Sequence, residues 1–288
     1  MNLKDRCVLI TGASGGIGRE LVTVLLDEGA QVLLSGRDHA ALARVVERHA
    51  ERDRATVFAA DLASASDRAR LCDFAQRWRG GIDILINNAA INDFGFLSTQ
   101  SAEALDSAVA INLTAPMDLC RRLIPRLEIS DDAHIVNIGS VFGSIGFAGN
   151  TVYSATKFGL RGFSEALRRE LADTSIRVHY FAPRATRTAF NSDLVDEMNE
   201  ALGNRVDDPA EVARHIVGAV REGEIEGVLG RPEKFFARIN AMLPRLVDRA
   251  MASKLATIRH FASRTPPTPA PRRMPALVKS TVQPRKAS

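Results

Sequence analysis

Tyr153 and Lys157 lie four residues apart in Tyr153-Ser154-Ala155-Thr156-Lys157, downstream of a serine at Ser140. On a helix that spacing projects the phenol and the ammonium from one face, where the cation favours the ionised phenol. A tyrosine that ordinarily titrates near ~10 then becomes an acid or base usable near neutral pH. The same spacing also arises by chance on solvated helix faces, so its meaning rests on the elements around it.

Those elements begin with an apolar run at 7–10, followed by Thr11-Gly12-Ala13-Ser14-Gly15-Gly16-Ile17-Gly18 and a helical pattern at 17–28 that Gly29 closes. Glycines at such a strand-to-helix turn let backbone N–H groups approach a pyrophosphate at the helix N-terminus. The spacing of Gly12, Gly16 and Gly18 is not that of the G-x-G-x-x-G fingerprint. Further strands are expected at 31–35, 55–60, 82–87, 134–138, 177–181 and 227–229. Helical patterns fall at 39–49, 66–78, 105–123, 151–171 and 209–222. This alternation predicts an α/β fold, a doubly wound parallel sheet of seven strands with helices on both faces.

Composition narrows the function classes. The 288 residues suffice for one large α/β domain. No apolar run approaches the ~18 residues of a membrane span, and the run at 7–10 is far shorter than a signal-peptide core, so a cytoplasmic protein is expected. Cys7, Cys72 and Cys120 are too far apart in sequence for a zinc site or redox dithiol and read as buried free thiols; no metal site is expected. The net charge of +4 at first suggests a nucleic-acid partner, but Arg264, Arg272, Arg273, Lys279, Arg285 and Lys286 lie in a tail without acidic residues. The rest of the chain holds 38 basic residues minus those six, against 34 acidic ones, so no nucleic-acid partner is expected.

The glycine loop resembles the Thr-Gly-x-x-x-Gly-x-Gly loop of the short-chain dehydrogenases/reductases, and other motifs follow in that family's order. Asn87-Asn88-Ala89-Ala90 is similar to its Asn-Asn-Ala-Gly, with Ala90 in place of glycine. Asn112, Ser140, Tyr153 and Lys157 match its catalytic positions, and Asp61, followed by Leu62, matches the acidic residue that contacts adenine. The resemblance covers roughly the first 230 residues. It implies a Rossmann-type catalytic domain over 1–232 that transfers a hydride between nicotinamide and a carbonyl or alcohol carbon. Tyr153 would exchange the oxygen-bound proton, Ser140 would hydrogen-bond the reacting oxygen, and Lys157 would lower the tyrosine pKa and hold the nicotinamide ribose. Asn112 would position a water between Lys157 and solvent. The implied cofactor contacts are Gly12, Ser14, Gly16, Ile17, Gly18, Arg37, Asp61, Leu62, Asn88, Ala89, Tyr153, Lys157, Pro183, Thr186 and Thr188. A homo-oligomer, dimer or tetramer, is the family's usual assembly.

Ser35-Gly36-Arg37 ends the second strand without the carboxylate that would bind ribose hydroxyls and repel a 2′-phosphate, so NADP(H) is favoured over NAD(H). Asp38 is expected at the start of the next helix, and Gly15 stands where many NADP-dependent relatives carry a basic residue. The family's Pro-Gly after the sixth strand is here Pro183-Arg184, and Arg184 or Arg187 is expected on a cofactor phosphate or an anionic substrate.

Phe94, Phe96, Val141, Phe142, Ile145, Phe147, Leu194, Met198 and Leu202 predict an apolar pocket for a small hydrophobic carbonyl or alcohol, lipid- or acyl-linked substrates included. The same fold could serve a non-catalytic NADP(H)-binding redox sensor, although a sensor needs no proton relay. Residues 233–262 carry a helical apolar stripe opposite Arg238, Arg245 and Arg249, divided at Pro244. Packing on the domain, a lid over the substrate and peripheral membrane contact through 234–262 are the three readings of that stripe. Residues 263–288 read as a Pro-rich, basic, disordered tail.

Overall fold

The computed structural model describes residues 1–265. Seven parallel strands form one sheet in the order β3-β2-β1-β4-β5-β6-β7: β1 (Cys7–Thr11), β2 (Gln31–Gly36), β3 (Ala55–Ala59), β4 (Ile84–Asn87), β5 (Ala133–Ile138), β6 (Ile176–Ala182) and β7 (Glu226–Val228). Side-chain alternation along the strands feeds two cores. Val8, Ile10, Val32 and Leu34 pack on one face, and Cys7, Leu9 and Leu33 on the other. On the first face α1 (Gly16–Asp27) packs against α8 (Pro209–Glu222). Asp208 caps α8 by accepting from the backbone N–H groups of Ala210 and Glu211, Pro209 opens it, and Gly223 ends it in the left-handed region. The second face is covered by α3 (Ala65–Ala75), α5 (Ala115–Leu127) and α6 (Thr151–Glu170). The strand order reverses between β1 and β4, and ligands of open α/β sheets bind above such a switch point.

The structure divides the single helix expected at 105–123. It is α4 (Ala102–Val109), a π-helical turn over Ala110–Thr114, and then α5. Asn112 sits in that turn, fully buried, and its side-chain amide both accepts from Ile91 N (2.8 Å) and donates to Ile91 O (2.8 Å). A wider turn re-aims a side chain without ending the helix, which apolar periodicity does not reveal. The apolar stripe after residue 230 becomes three helices, α9 (Arg231–Met242), α10 (Pro244–Ala252) and α11 (Leu255–Ala262), with Pro244 opening the second. The tail expected to be disordered falls, from residue 266 on, outside the described residues.

Two histidines are fully buried between β5 and β6. His179 Nδ1 donates to the Glu224 carbonyl (2.6 Å), and its Nε2 lies 2.8 Å from His134 Nδ1. Burial pushes His179 down to about 4. Between ~6.5 and that value the unfolded chain takes up a proton that the folded one does not, so stability is complete above ~6.5 and falls as pH drops toward 4. The loss expected from this one ring is on the order of 3 kcal/mol. Urea denaturation across pH 7 to 4 checks it, with a shallower slope for His179→Gln; an unchanged slope would assign acid sensitivity to other groups.

Candidate active site

Ser140 follows β5, and its Oγ accepts from Phe142 N (3.1 Å). Tyr153 and Lys157 stand one turn apart on α6, and both line a cleft of ≈ 880 Å³ above the switch point, as does Ser140. The phenol ring packs edge-on to Phe142 (6.3 Å between centroids) and against Phe190 (5.9 Å). The expected depression of the phenol is corrected here. Burial pushes Tyr153 up to about 12, and only its hydrogen bond to Ser140 opposes this. Lys157 Nζ instead donates to the Ile138 carbonyl (2.9 Å) and lies 5.7 Å from the centre of the Tyr153 ring; burial lowers its pKa to about 8. Burial outweighs the hydrogen bond to Ser140, so Tyr153 is a protonated donor at neutral pH.

Of the four predicted catalytic residues, Asn112 is the one that does not line the cleft. Its amide is committed to Ile91 and Thr156 Oγ1 (3.2 Å), so it braces α4–α5 against α6 and the loop after β4.

The predicted cofactor residues Gly12, Ser14, Gly16, Ile17, Gly18, Arg37, Asp61, Leu62, Asn88, Ala89, Pro183, Thr186 and Thr188 all line the same cleft. Gly12 has φ +64°, and a Cβ there would come within 2.8 Å of Ala89 Cα, so the turn needs glycine on both counts. Asn88 Nδ2 donates to the Thr11 (3.0 Å) and Gly12 (3.2 Å) carbonyls, and Thr11 Oγ1 accepts from Asn88 N and Ala89 N (3.1 Å each), which binds the loop to the end of β4. At Gly16 a Cβ would overlap the Thr188 side chain, so that threonine seats the β6 loop on the start of α1. Asp38 caps α2 (His39–Val46) by accepting from Ala41 N (3.0 Å), as its sequence position predicts. Arg37 is exposed, lines the cleft and makes no ion pair among the described residues. Sequence reasoning missed Arg19, which also lines the cleft and whose buried Nε has no hydrogen-bond partner. Its place one residue after Gly18, on the first turn of α1, was the available signal. An apposed phosphate chemistry suits both guanidinium groups, the open glycine turn and the N-terminus of α1.

The expected role of Arg184 is overturned. Arg184 lines the cleft, but its Nε and Nη2 bind Asp207 (2.9 and 2.6 Å) and its Nη1 binds Glu233 (3.1 and 3.3 Å), so two carboxylates already balance its charge. Its backbone is unstrained, since Asp5 and Arg79 are the only non-glycine residues with positive φ among those described. Arg187 does not line the cleft. The arginine thus ties the β6 loop to the segment before α8 and to the first turn of α9.

The substrate side is apolar, as expected, but only partly through the expected residues. Val141, Phe142, Ile145, Phe147 and Met198 line the cleft. Phe94, Phe96, Leu194 and Leu202 instead pack behind it with Ile258 and Phe261 of α11. Phe190, Val195, Phe236 and Met251 join the wall unpredicted, the last two from α9 and α10. Among the described residues no cluster of three metal-ligating side chains occurs, and all three cysteines are buried and free.

Residues 6–199 match the family model described as short chain dehydrogenase. The ketoacyl reductase HetN of Nostoc sp. is 31% identical over 255 residues, covering 86% of this chain and 88% of that protein. A short-chain dehydrogenase from Sphingobium yanoikuyae solved with NADPH superposes with a TM-score of 0.70 at 29% identity, over 84% of this chain and 96% of its own. A 3-ketoacyl-(acyl-carrier-protein) reductase from Brucella melitensis solved with NADH gives 0.72 at 26% identity, over 78% and 96%. This chain belongs to the short-chain dehydrogenase family of oxidoreductases, and its sheet is of the Rossmann type.

Proposed function

We propose that the protein is an NADP(H)-dependent oxidoreductase acting on a hydrophobic carbonyl or alcohol, acyl-linked substrates included. The observation that carries this reading is a single cleft lined by Ser140, Tyr153 and Lys157 together with the glycine loop, Arg19 and Arg37. When bound, reduced nicotinamide supplies the hydride. Tyr153, protonated at neutral pH, donates its proton to the carbonyl oxygen as that oxygen gains the electron pair. Ser140 steadies the same oxygen by hydrogen bonding, and the Lys157 ammonium stabilises the phenolate left behind. Thr186 and Thr188 would hold the nicotinamide end of the cofactor, and Asp61 and Leu62 its adenine end; all four line the cleft.

The related structures hold NADH or NADPH, so the choice rests on this chain's own residues. Gly36 puts no carboxylate at the end of β2, Asp38 is turned to its helix cap, and two guanidinium groups face the cleft. The apolar wall favours a hydrophobic substrate over a polyol, and the exposed Leu105, Met117 and Phe158 of α4, α5 and α6 suit contact between subunits of a homo-oligomer. NADPH oxidation against a panel of hydrophobic aldehydes and ketones tests the reading. Arg37→Ala is expected to lower kcat/KM for NADPH by about 10- to 100-fold, the value of a charged hydrogen bond, while leaving NADH nearly unchanged. Equal losses with both cofactors would reject the 2′-phosphate role.

A further inference from the structure

Helix α9 leaves large apolar side chains exposed that its packing on its own domain does not use. The packed side is mixed: Glu233 binds Arg184 and Asn240 Nδ2 donates to the Ser144 carbonyl (2.8 Å), while Ala237 and Ile239 pack against the cluster of Val141, Ile145 and Val247. At 100° per residue, Phe235 and Met242 fall on the opposite side, where they are 62% and 80% exposed. Leu243 and Leu246 continue the patch at 59% and 54%. Lys234 and Arg238 border it on α9, and Arg245 and Arg249 on α10. All four are exposed and none forms an ion pair among the described residues, and Asp248 is the one acidic side chain on α10. The chain beyond residue 265 adds Arg272, Arg273, Lys279, Arg285 and Lys286 and no Asp or Glu.

An occupant of this face must therefore be both apolar and anionic. A second copy of the chain fails the second requirement, because a two-fold contact would bring the same basic residues face to face. A bilayer with acidic headgroups meets both, with aromatic and aliphatic side chains at the acyl boundary and basic ones at headgroup level. No described helix is long and apolar enough to cross a membrane, so the contact lies in the interface plane. Phe236 connects this face to the chemistry: it is 49% exposed beside Phe235 and also lines the active-site cleft.

We propose that the α9–α10 face docks on an anionic lipid surface and that Phe236 marks the route by which apolar substrates pass from that surface into the cleft. The docking stands on its own; the route rests on the oxidoreductase reading above. The test is co-sedimentation of the full chain with phosphatidylcholine vesicles, with and without phosphatidylglycerol. Binding is expected only with phosphatidylglycerol and should weaken as salt rises. Phe235→Ser/Leu246→Ser should lower affinity at least about tenfold through lost apolar burial, and Arg238→Glu/Arg245→Glu by about tenfold or more through lost attraction. Both double variants should turn over a water-soluble carbonyl compound normally, which reports an intact fold, yet lose activity on a long-chain carbonyl carried in the vesicles. Absence of vesicle binding overturns the proposal. So does binding indifferent to the apolar pair, which would assign it to the basic tail, or a dimer that the same variants dissociate in light scattering. Vesicle binding that follows the variants, in a protein that reduces no carbonyl compound, would keep the docking and overturn the route.

Discussion

Tyr153→Phe should lower kcat for carbonyl reduction by about 10³-fold, within the range attributed to a positioned general acid. The substitution keeps the ring and so preserves the contacts with Phe142 and Phe190; only the proton and its bond to Ser140 are lost. NADPH affinity, measured by fluorescence titration, should therefore stay within about twofold, because an interaction made chiefly in the transition state lowers kcat without weakening ground-state binding. The high pKa of the phenol sharpens the expectation. A phenol near 12 is protonated across the working pH range, so its proton is present for transfer whenever the carbonyl is bound. A variant that kept more than about a tenth of the activity would remove Tyr153 from proton transfer and return the site to the redox-sensor alternative, which needs the cofactor contacts alone.

The sheet was legible in the sequence because parallel strands buried on both faces are short apolar runs, and each run here ends at a glycine, a polar turn or a helix cap. The cofactor side was legible for a related reason. Gly12, Asn88 and Thr11 are adjacent to those runs, so fixing the strands also fixed the loop. What the sequence hid depends on contacts between distant segments. The phenol's upward shift comes from burial by side chains far apart in sequence, whereas the i,i+4 rule sees only Lys157. The partition of the aromatic residues was equally hidden: Phe94 and Phe96 look as suited to the pocket as Phe142, but α11 folds over them and takes them into a core. Arg184 was misassigned because a cation near a nucleotide invites a phosphate, and neither Asp207 nor Glu233 is near it in sequence.

Restoring the glycine expected at that position, Arg184→Gly, should consequently damage the protein rather than repair it. The guanidinium, Asp207 and Glu233 are 11%, 17% and 22% exposed, so this is a mostly buried triad whose two carboxylates would lose their counter-ion together. Breaking a buried pair costs roughly 3–5 kcal/mol; with residual solvent access, about 2–3 kcal/mol is expected, or a fall in Tm of ~5 °C. The kinetic consequence follows from what the arginine joins. Asp207 is also held by the β6 loop through its backbone, donating to Ala185 O (2.8 Å) and accepting from Arg187 N (2.9 Å), so that contact survives. Among the described residues Glu233 shows no second side-chain tie of this kind, and its release frees the first turn of α9, one turn before Phe236 in the cleft wall. KM for a bulky apolar substrate should then rise several-fold, about 1 kcal/mol of lost contact, while NADPH affinity changes little. Adding Asp207→Asn and Glu233→Gln to Arg184→Gly separates the two effects. Removing the unpaired charges should recover most of the lost Tm, whereas KM should stay high because nothing reconnects α9 to the β6 loop. If KM recovered along with Tm, the arginine would be a charge-balancing residue, and the position of α9 would be set by its apolar contacts with Val141 and Ile145.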